Sequence, residues 1–187
     1  FRIKRYKPTG GLLSFQFVNW WPSIAWGVID HERQPMLGYY ALRKAFSPIL
    51  VCVDWERSVF RKGEEVKLPV WVINDYHTSL GDCEIRWRLL KTRNRVIRGS
   101  RIWIIGELYV PWLNFPTFSK PVTVCPGESE GEVLREGSFK VEVLPDCAVK
   151  TNEVSFSCTE PVDLRLELEL RRGEHVISEN SYHFIVR

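Results

Sequence analysis

Val162-Asp163-Leu164-Arg165-Leu166-Glu167-Leu168-Glu169-Leu170 alternates without a break between apolar and charged side chains. A period of two places every other side chain on the same face of a pleated strand, so this segment has one apolar face for a core and one wet face. The same rhythm runs through Cys83, Ile85, Trp87 and Leu89, set against Glu84, Arg86 and Arg88. Further strand-like runs cover residues 49–56, 65–74, 101–110, 139–144, 154–158 and 182–186. Between them stand reversal signals: Lys62-Gly63, Leu80-Gly81-Asp82, Pro126-Gly127, Pro145-Asp146 and Arg172-Gly173, each with a glycine, proline or Asx residue that favours a turn. Seven or more short strands at this spacing predict a mainly β chain built as a β-sandwich. The stretch 127–137, rich in Glu, Ser and Gly, reads as a surface loop.

Ahead of residue 49 the pattern is different. Residues 12–18 are mostly large and apolar, as expected of a strand covered on both faces. The chain then turns through Trp20-Trp21-Pro22, where Pro22 disfavours helix at Trp21, and after Pro35 a helical segment is expected over residues 37–46. Strand, loop and helix make one unit of an α/β barrel, in which the loops at the strand C-terminal ends carry the site. Residues 1–7 read as the end of a preceding helix. The expected division is 1–48 for the βα segment and 49–187 for the sandwich.

The loop supplies the candidate site. An indole face packs well against the C–H face of a sugar ring, so Trp20, Trp21 and Trp26 are candidate stacking residues, and the alternative is that they are core aromatics closing a barrel end. Asn19 offers a carbonyl and two amide hydrogens for neighbouring hydroxyls; its alternative is a turn-former at the strand end. Asp30 and Glu32 are the carboxylates nearest this loop, but two residues apart on a connection they read as turn or capping groups and not as a pair facing across a substrate.

The pattern Gln16-x-x-Asn19-x-Trp21-Pro22, with Trp26, Ile29-Asp30 and Pro35-x-x-Gly38-Tyr39-Tyr40-Ala41-Leu42-Arg43-Lys44-Ala45-Phe46-x-Pro48, resembles the last strand and helix of the catalytic barrel in glycoside hydrolase family 2, in its β-mannosidase-like branch. Val72-Ile73-Asn74-Asp75, Ile85-Arg86-Trp87-Arg88-Leu89 and Glu179-Asn180-Ser181-Tyr182-His183-Phe184 resemble the immunoglobulin-like domain that follows that barrel. The resemblance implies a retaining O-glycosidase acting on a terminal β-linked sugar. Its glutamate acid/base and glutamate nucleophile would sit on earlier barrel strands, outside this chain. On that reading the chain is part of a longer polypeptide, holds no catalytic residue, is inactive alone, and has the upstream barrel as its partner. A stand-alone carbohydrate-binding module and a purely structural immunoglobulin-like domain stay open beside it.

Composition fits a folded chain. With 187 residues, 44% hydrophobic and 13% aromatic, there is ample material for a core. The net charge of +3 is too small and dispersed to point to nucleic acid or a membrane surface. Residues 1–48 do carry seven Lys and Arg against Asp30 and Glu32, and this basic excess reads as helix surface. No run approaches the roughly 18 consecutive apolar residues of a membrane span. Five cysteines, an odd number with no C-x-x-C, read as reduced thiols and favour the cytoplasm; a Cys52 to Cys125 bridge is the alternative. His31, His77, His175 and His183 are scattered, and no phosphate loop or nucleophile elbow is present, so no metal and no cofactor is implied. Trp103, Tyr109, Trp112, Phe115 and Phe118 are either a second carbohydrate platform or, on the favoured reading, core and interdomain packing.

Overall fold

Leu164, Leu166, Leu168 and Leu170 are all sealed from solvent, while Arg165, Glu167 and Glu169 between them stay on the outer face, where Glu167 pairs with Arg165 and with Arg88 of a neighbouring strand and Glu169 pairs with Arg171. The computed structural model describes residues 1–5, 8–22, 26–92 and 131–187. Its strands are β1 (Ile49–Val53), β2 (Val59–Phe60), β3 (Val66–Asn74), β4 (Gly81–Thr92), β5 (Glu132–Val143), β6 (Cys147–Phe156), β7 (Val162–Arg172) and β8 (His175–Val186); one helix, α1, covers Leu37–Ala45, and a 3-10 turn covers Arg2–Lys4.

The strands form two sheets, ordered β1-β3-β6 and β2-β8-β7-β4-β5, with β2 running parallel to β8 and the other pairings antiparallel. The inner faces meet in one core, in which Val51, Val70 and Val72 of the smaller sheet oppose Ile85, Leu89 and the β7 leucines of the larger. At about 1.5–3 kcal/mol for each large aliphatic side chain fully withdrawn from water, this layer supplies the main cohesion. Phe60, Phe156 and Phe184 close one end with ring centroids 5.8–6.3 Å apart. This is the mainly β sandwich that the alternation predicts.

Four of the turn signals act as anticipated, and Pro126-Gly127 lies outside the described residues. Gly63, Gly81 and Gly173 take positive φ, and so does Asp146, an Asx residue tolerated in that region. Three extents differ most from expectation, those of β5, β6 and β8; β6 covers Cys147–Phe156 and not 154–158. β5 begins at Glu132, so residues 132–137 lie in a strand paired with β4 and not in a loop. β8 begins at His175, well before residue 182, because its inward face turns polar where it meets the backbone edge of β1. There Ser178 Oγ accepts the Val51 amide at 3.2 Å, Tyr182 Oη accepts the Val53 amide at 3.3 Å, and Asn180 Nδ2 donates to the Val51 carbonyl at 3.1 Å. Side chains thereby take the place of a neighbouring strand along an edge that would otherwise be open to pairing.

Cys52 and Cys83 are buried free thiols, and Cys147 and Cys158 are free as well. Cys125, residues 101–110 and the aromatic group from Trp103 to Phe118 lie outside the described residues. No helix is long and apolar enough to cross a membrane among the described residues.

Candidate functional site

The apolar run over residues 12–18 does not form the expected strand. Its one ladder contact is a parallel bridge between Val18 and Ile29, and Leu13 is fully exposed. The physical reason is pairing: a barrel strand needs neighbours on both edges to satisfy its amides, and here the following segment alone approaches. Asn19 N–H donates to the Ile29 carbonyl at 2.9 Å, and the amides of Val28 and Ile29 both donate to Phe17 at 3.1 Å. The tryptophan loop therefore leaves from and returns to the same point.

Asn19 closes it. This residue is buried, 5% exposed, and its Oδ1 accepts the Gly27 amide at 2.9 Å. Only glycine fits at 27, because a β-carbon there would run into the Asn19 carboxamide. Outside that closure the indoles project into solvent: Trp20 is 78% exposed, Trp21 66% and Trp26 79%. The four candidates thus share one loop, with the amide turned inward as its staple and the three rings outward.

Asp30 is a turn residue. Its Oδ1 accepts the amides of Glu32 at 2.9 Å and Gln34 at 2.8 Å, an Asx arrangement that folds residues 30–34 back on themselves. Glu32 points to its neighbour His31 at 3.9 Å. The reversal delivers the chain to α1, where the Met36 amide donates to the Val28 carbonyl at 2.9 Å and Tyr39 lies 6.4 Å from the Phe17 ring. α1 buries none of its own residues.

Sequence reasoning missed the basic turn at the N-terminus, read as helix surface. Arg2 and Arg5 instead reach the sandwich, meeting Asp75 after β3 and Asp146 between β5 and β6. No local pattern signals this, since Arg5 is the C-cap of the 3-10 turn and Asp146 lies 141 positions away. Among the described residues no cluster of three His, Cys, Asp or Glu is placed to hold a metal ion.

No protein-family model matches the chain. A β-mannosidase B of Aspergillus niger is 28% identical over 99 residues, 48% of this chain and 12% of that protein. A β-mannosidase B of Emericella nidulans is 28% identical over 89 residues, 44% of this chain and 11% of that protein. The crystal structure of β-D-mannosidase from Dictyoglomus thermophilum superposes on 91% of this chain and 15% of its own length, with a TM-score of 0.55 at 16% identity. These likenesses agree with the resemblance to the C-terminal part of a β-mannosidase of glycoside hydrolase family 2. The chain thus spans only about a tenth of the length of these curated relatives, 12% and 11%. The likeness to the solved enzyme is one of fold.

Proposed function

We propose that the polypeptide to which this part belongs hydrolyses terminal β-mannosidic bonds with retention of configuration, the acid/base and nucleophile glutamates coming from barrel strands upstream. Residues 1–48 would be the last unit of that barrel and residues 49–187 its buttress. Trp21 foremost, with Trp20 and Trp26, forms a wall of the subsite for the terminal sugar. The Asn19 carbonyl serves Gly27, so this buried residue bears on sugar binding by holding the loop and its indoles in shape.

The observation that supports this is the combination of an internally bonded loop with three indoles held out of any core. Each such ring can bury about 150–250 Å², worth roughly 4–6 kcal/mol if covered. A sugar face and the adjoining barrel are what the reading supplies to cover them. The exposed Leu13 and Phe15 would meet the barrel in the same way.

The test is turnover of a nitrophenyl β-mannoside. The polypeptide that contains the barrel is expected to be active and to lose kcat/KM on Trp21→Ala, whereas this chain alone gives no turnover. Activity of the isolated chain that vanishes on changing Asp30 or Glu32 would overturn the proposal. The exposure of the indoles in this chain itself favours a second reading, a free-standing carbohydrate-binding module. Calorimetry with mannose and manno-oligosaccharides separates the two, since the module reading requires an affinity in the chain alone that Trp21→Ala removes.

A further inference from the structure

α1 carries the tryptophan loop through the Val28 carbonyl and the contact of Phe17 with Tyr39, yet it buries no residue of its own. Packing therefore does not set its attitude to the sandwich. Polar contacts from the N-terminal turn reach its C-terminal end instead, beside the bond of the Asp75 amide to the Pro48 carbonyl at 3.0 Å. Arg2 Nη1 donates to the carbonyls of Ala45 at 2.6 Å and Ser47 at 2.9 Å, and its Nη2 donates to the Pro48 carbonyl at 3.4 Å and to Asp75 Oδ2 at 2.7 Å. The last carbonyls of a helix have no partner within it and carry its negative end, so a guanidinium is well suited to gather them. One side chain thus holds the C-terminal end of α1 and a carboxylate of the sandwich at once.

Arg5 completes the arrangement. Its Nη1 donates to Asp75 Oδ1 at 2.6 Å and to the Asn74 carbonyl at 3.3 Å, and its Nη2 donates to Asp146. Both oxygens of Asp75 are consequently engaged, each by a different arginine. The base on which they close is itself braced: Asn74, fully buried, donates through Nδ2 to the carbonyls of Thr78 and Leu144 at 2.9 Å each, lacing together the two turns that present Asp75 and Asp146. Between the arginines, Ile3 packs on the outer-face cluster of Leu50, Cys52 and Ile73.

We propose that Arg2, Arg5, Asp75 and Asp146 form a clamp through which the end of the sandwich fixes the attitude of α1, and with it the tryptophan loop. Arg2 and Asp75 are its positioning residues. The two arginine side chains are mostly covered, at 15% and 18% exposure, but the carboxylates are 41% and 39% exposed, so the clamp is open to screening by salt. Its bearing on catalysis rests on the function proposed above; its existence does not.

The experiment measures residual dipolar couplings of backbone amides in this chain. In the wild type, couplings from α1 and from β3, β4 and β7 are expected to fit one alignment tensor. Asp75→Asn, which keeps the shape and removes the shared charge, and Arg2→Met are each expected to make α1 lose that common tensor, while the amide spectrum of the sandwich is retained. Should either variant fail to fold, the wild type is titrated from about 0.01 to about 1 M salt, over which the screening length contracts from about 30 to about 3 Å, with the same divergence expected. Couplings of α1 that stay on the sandwich tensor in the folded variants, or across the salt series, overturn the clamp. In the polypeptide containing the barrel, Asp75→Asn is expected to lower kcat/KM about tenfold, within the range for small misplacements remote from the chemistry. Absence of any mannosidase activity there would remove the functional proposal and leave the coupling result to decide the clamp.

Discussion

Asn19 and Gly27 close the tryptophan loop on each other: the carboxamide of one fills the space that a side chain on the other would need. The relationship makes Gly27→Ala a sharper probe than removal of any indole. The added methyl must expel the Asn19 carboxamide and break its hydrogen bond, a loss of about 1–3 kcal/mol felt locally. Near-ultraviolet circular dichroism of the indoles is expected to collapse toward the free-tryptophan signal. The denaturation midpoint of the sandwich is expected to stay put, because neither residue touches its core. A Gly27→Ala chain with the wild-type aromatic spectrum would show that the staple does not shape the loop.

Tyr182→Phe tests the side-chain cover on β1. The hydroxyl accepts from the Val53 amide and from Asn180 Nδ2, at 3.3 and 2.9 Å, so its removal leaves two part-buried donors unserved with little change of shape. The expected loss is about 1–3 kcal/mol of unfolding free energy in a urea titration, with the slope unchanged. An unchanged midpoint would mean water replaces the hydroxyl at no cost.

Trp87 and Gly137 face each other directly across the β4–β5 pairing, and a β-carbon on Gly137 would sit 3.0 Å from the indole ring atoms. Gly137→Ala is therefore expected to cost about 1–3 kcal/mol through overpacking. In a Trp87→Phe background, where the ring is smaller, the same change is expected to cost clearly less. Equal penalties in the two backgrounds would rule out the ring as the cause.

How much of this was readable in advance depended on whether an element owes its form to its own pattern or to a partner. β7 was legible residue by residue, because Leu164 to Leu170 bury themselves whatever lies opposite. The N-terminal half of β8 was not, since Ser178 and Asn180 face inward for the sake of a β1 backbone distant in sequence. Glu132 to Gly137 look like loop by composition and are strand by pairing with β4. Residues 12–18 have the converse fate: strand-like in composition, without strands to pair with. In the site, the gathering of Asn19, Trp20, Trp21 and Trp26 in one loop followed from spacing alone. The Gly27 contact and the Arg5 to Asp146 pair, 141 positions apart, left no mark on any local pattern.

The pH dependence of stability offers a final check, and its sign follows from burial. Cys52, on β1, has its thiol pushed from an ordinary 9.0 up to about 11, chiefly by burial and against the lowering pull of the Arg2 charge. Burial also raises Cys83, and it raises the Tyr182 hydroxyl well above its usual range. For each of these the unfolded chain gives up its proton first, so between the unfolded and folded values the native state holds more protons and stability falls as pH rises. His183 acts on the opposite limb: burial first, then the Arg165 charge, depresses it below 6.5, so the unfolded chain takes up its proton first and stability falls as pH drops through that region. The plateau is therefore expected between about pH 7 and about pH 8.5. Cys52→Ala lowers the plateau by opening a small cavity, yet it is expected to flatten the alkaline fall between about pH 9 and about pH 11 by up to roughly 2–3 kcal/mol, one proton's worth over that window. Urea midpoints of the two chains compared across it decide the matter, since parallel alkaline limbs would mean that the Cys52 thiol titrates alike in the folded and unfolded states.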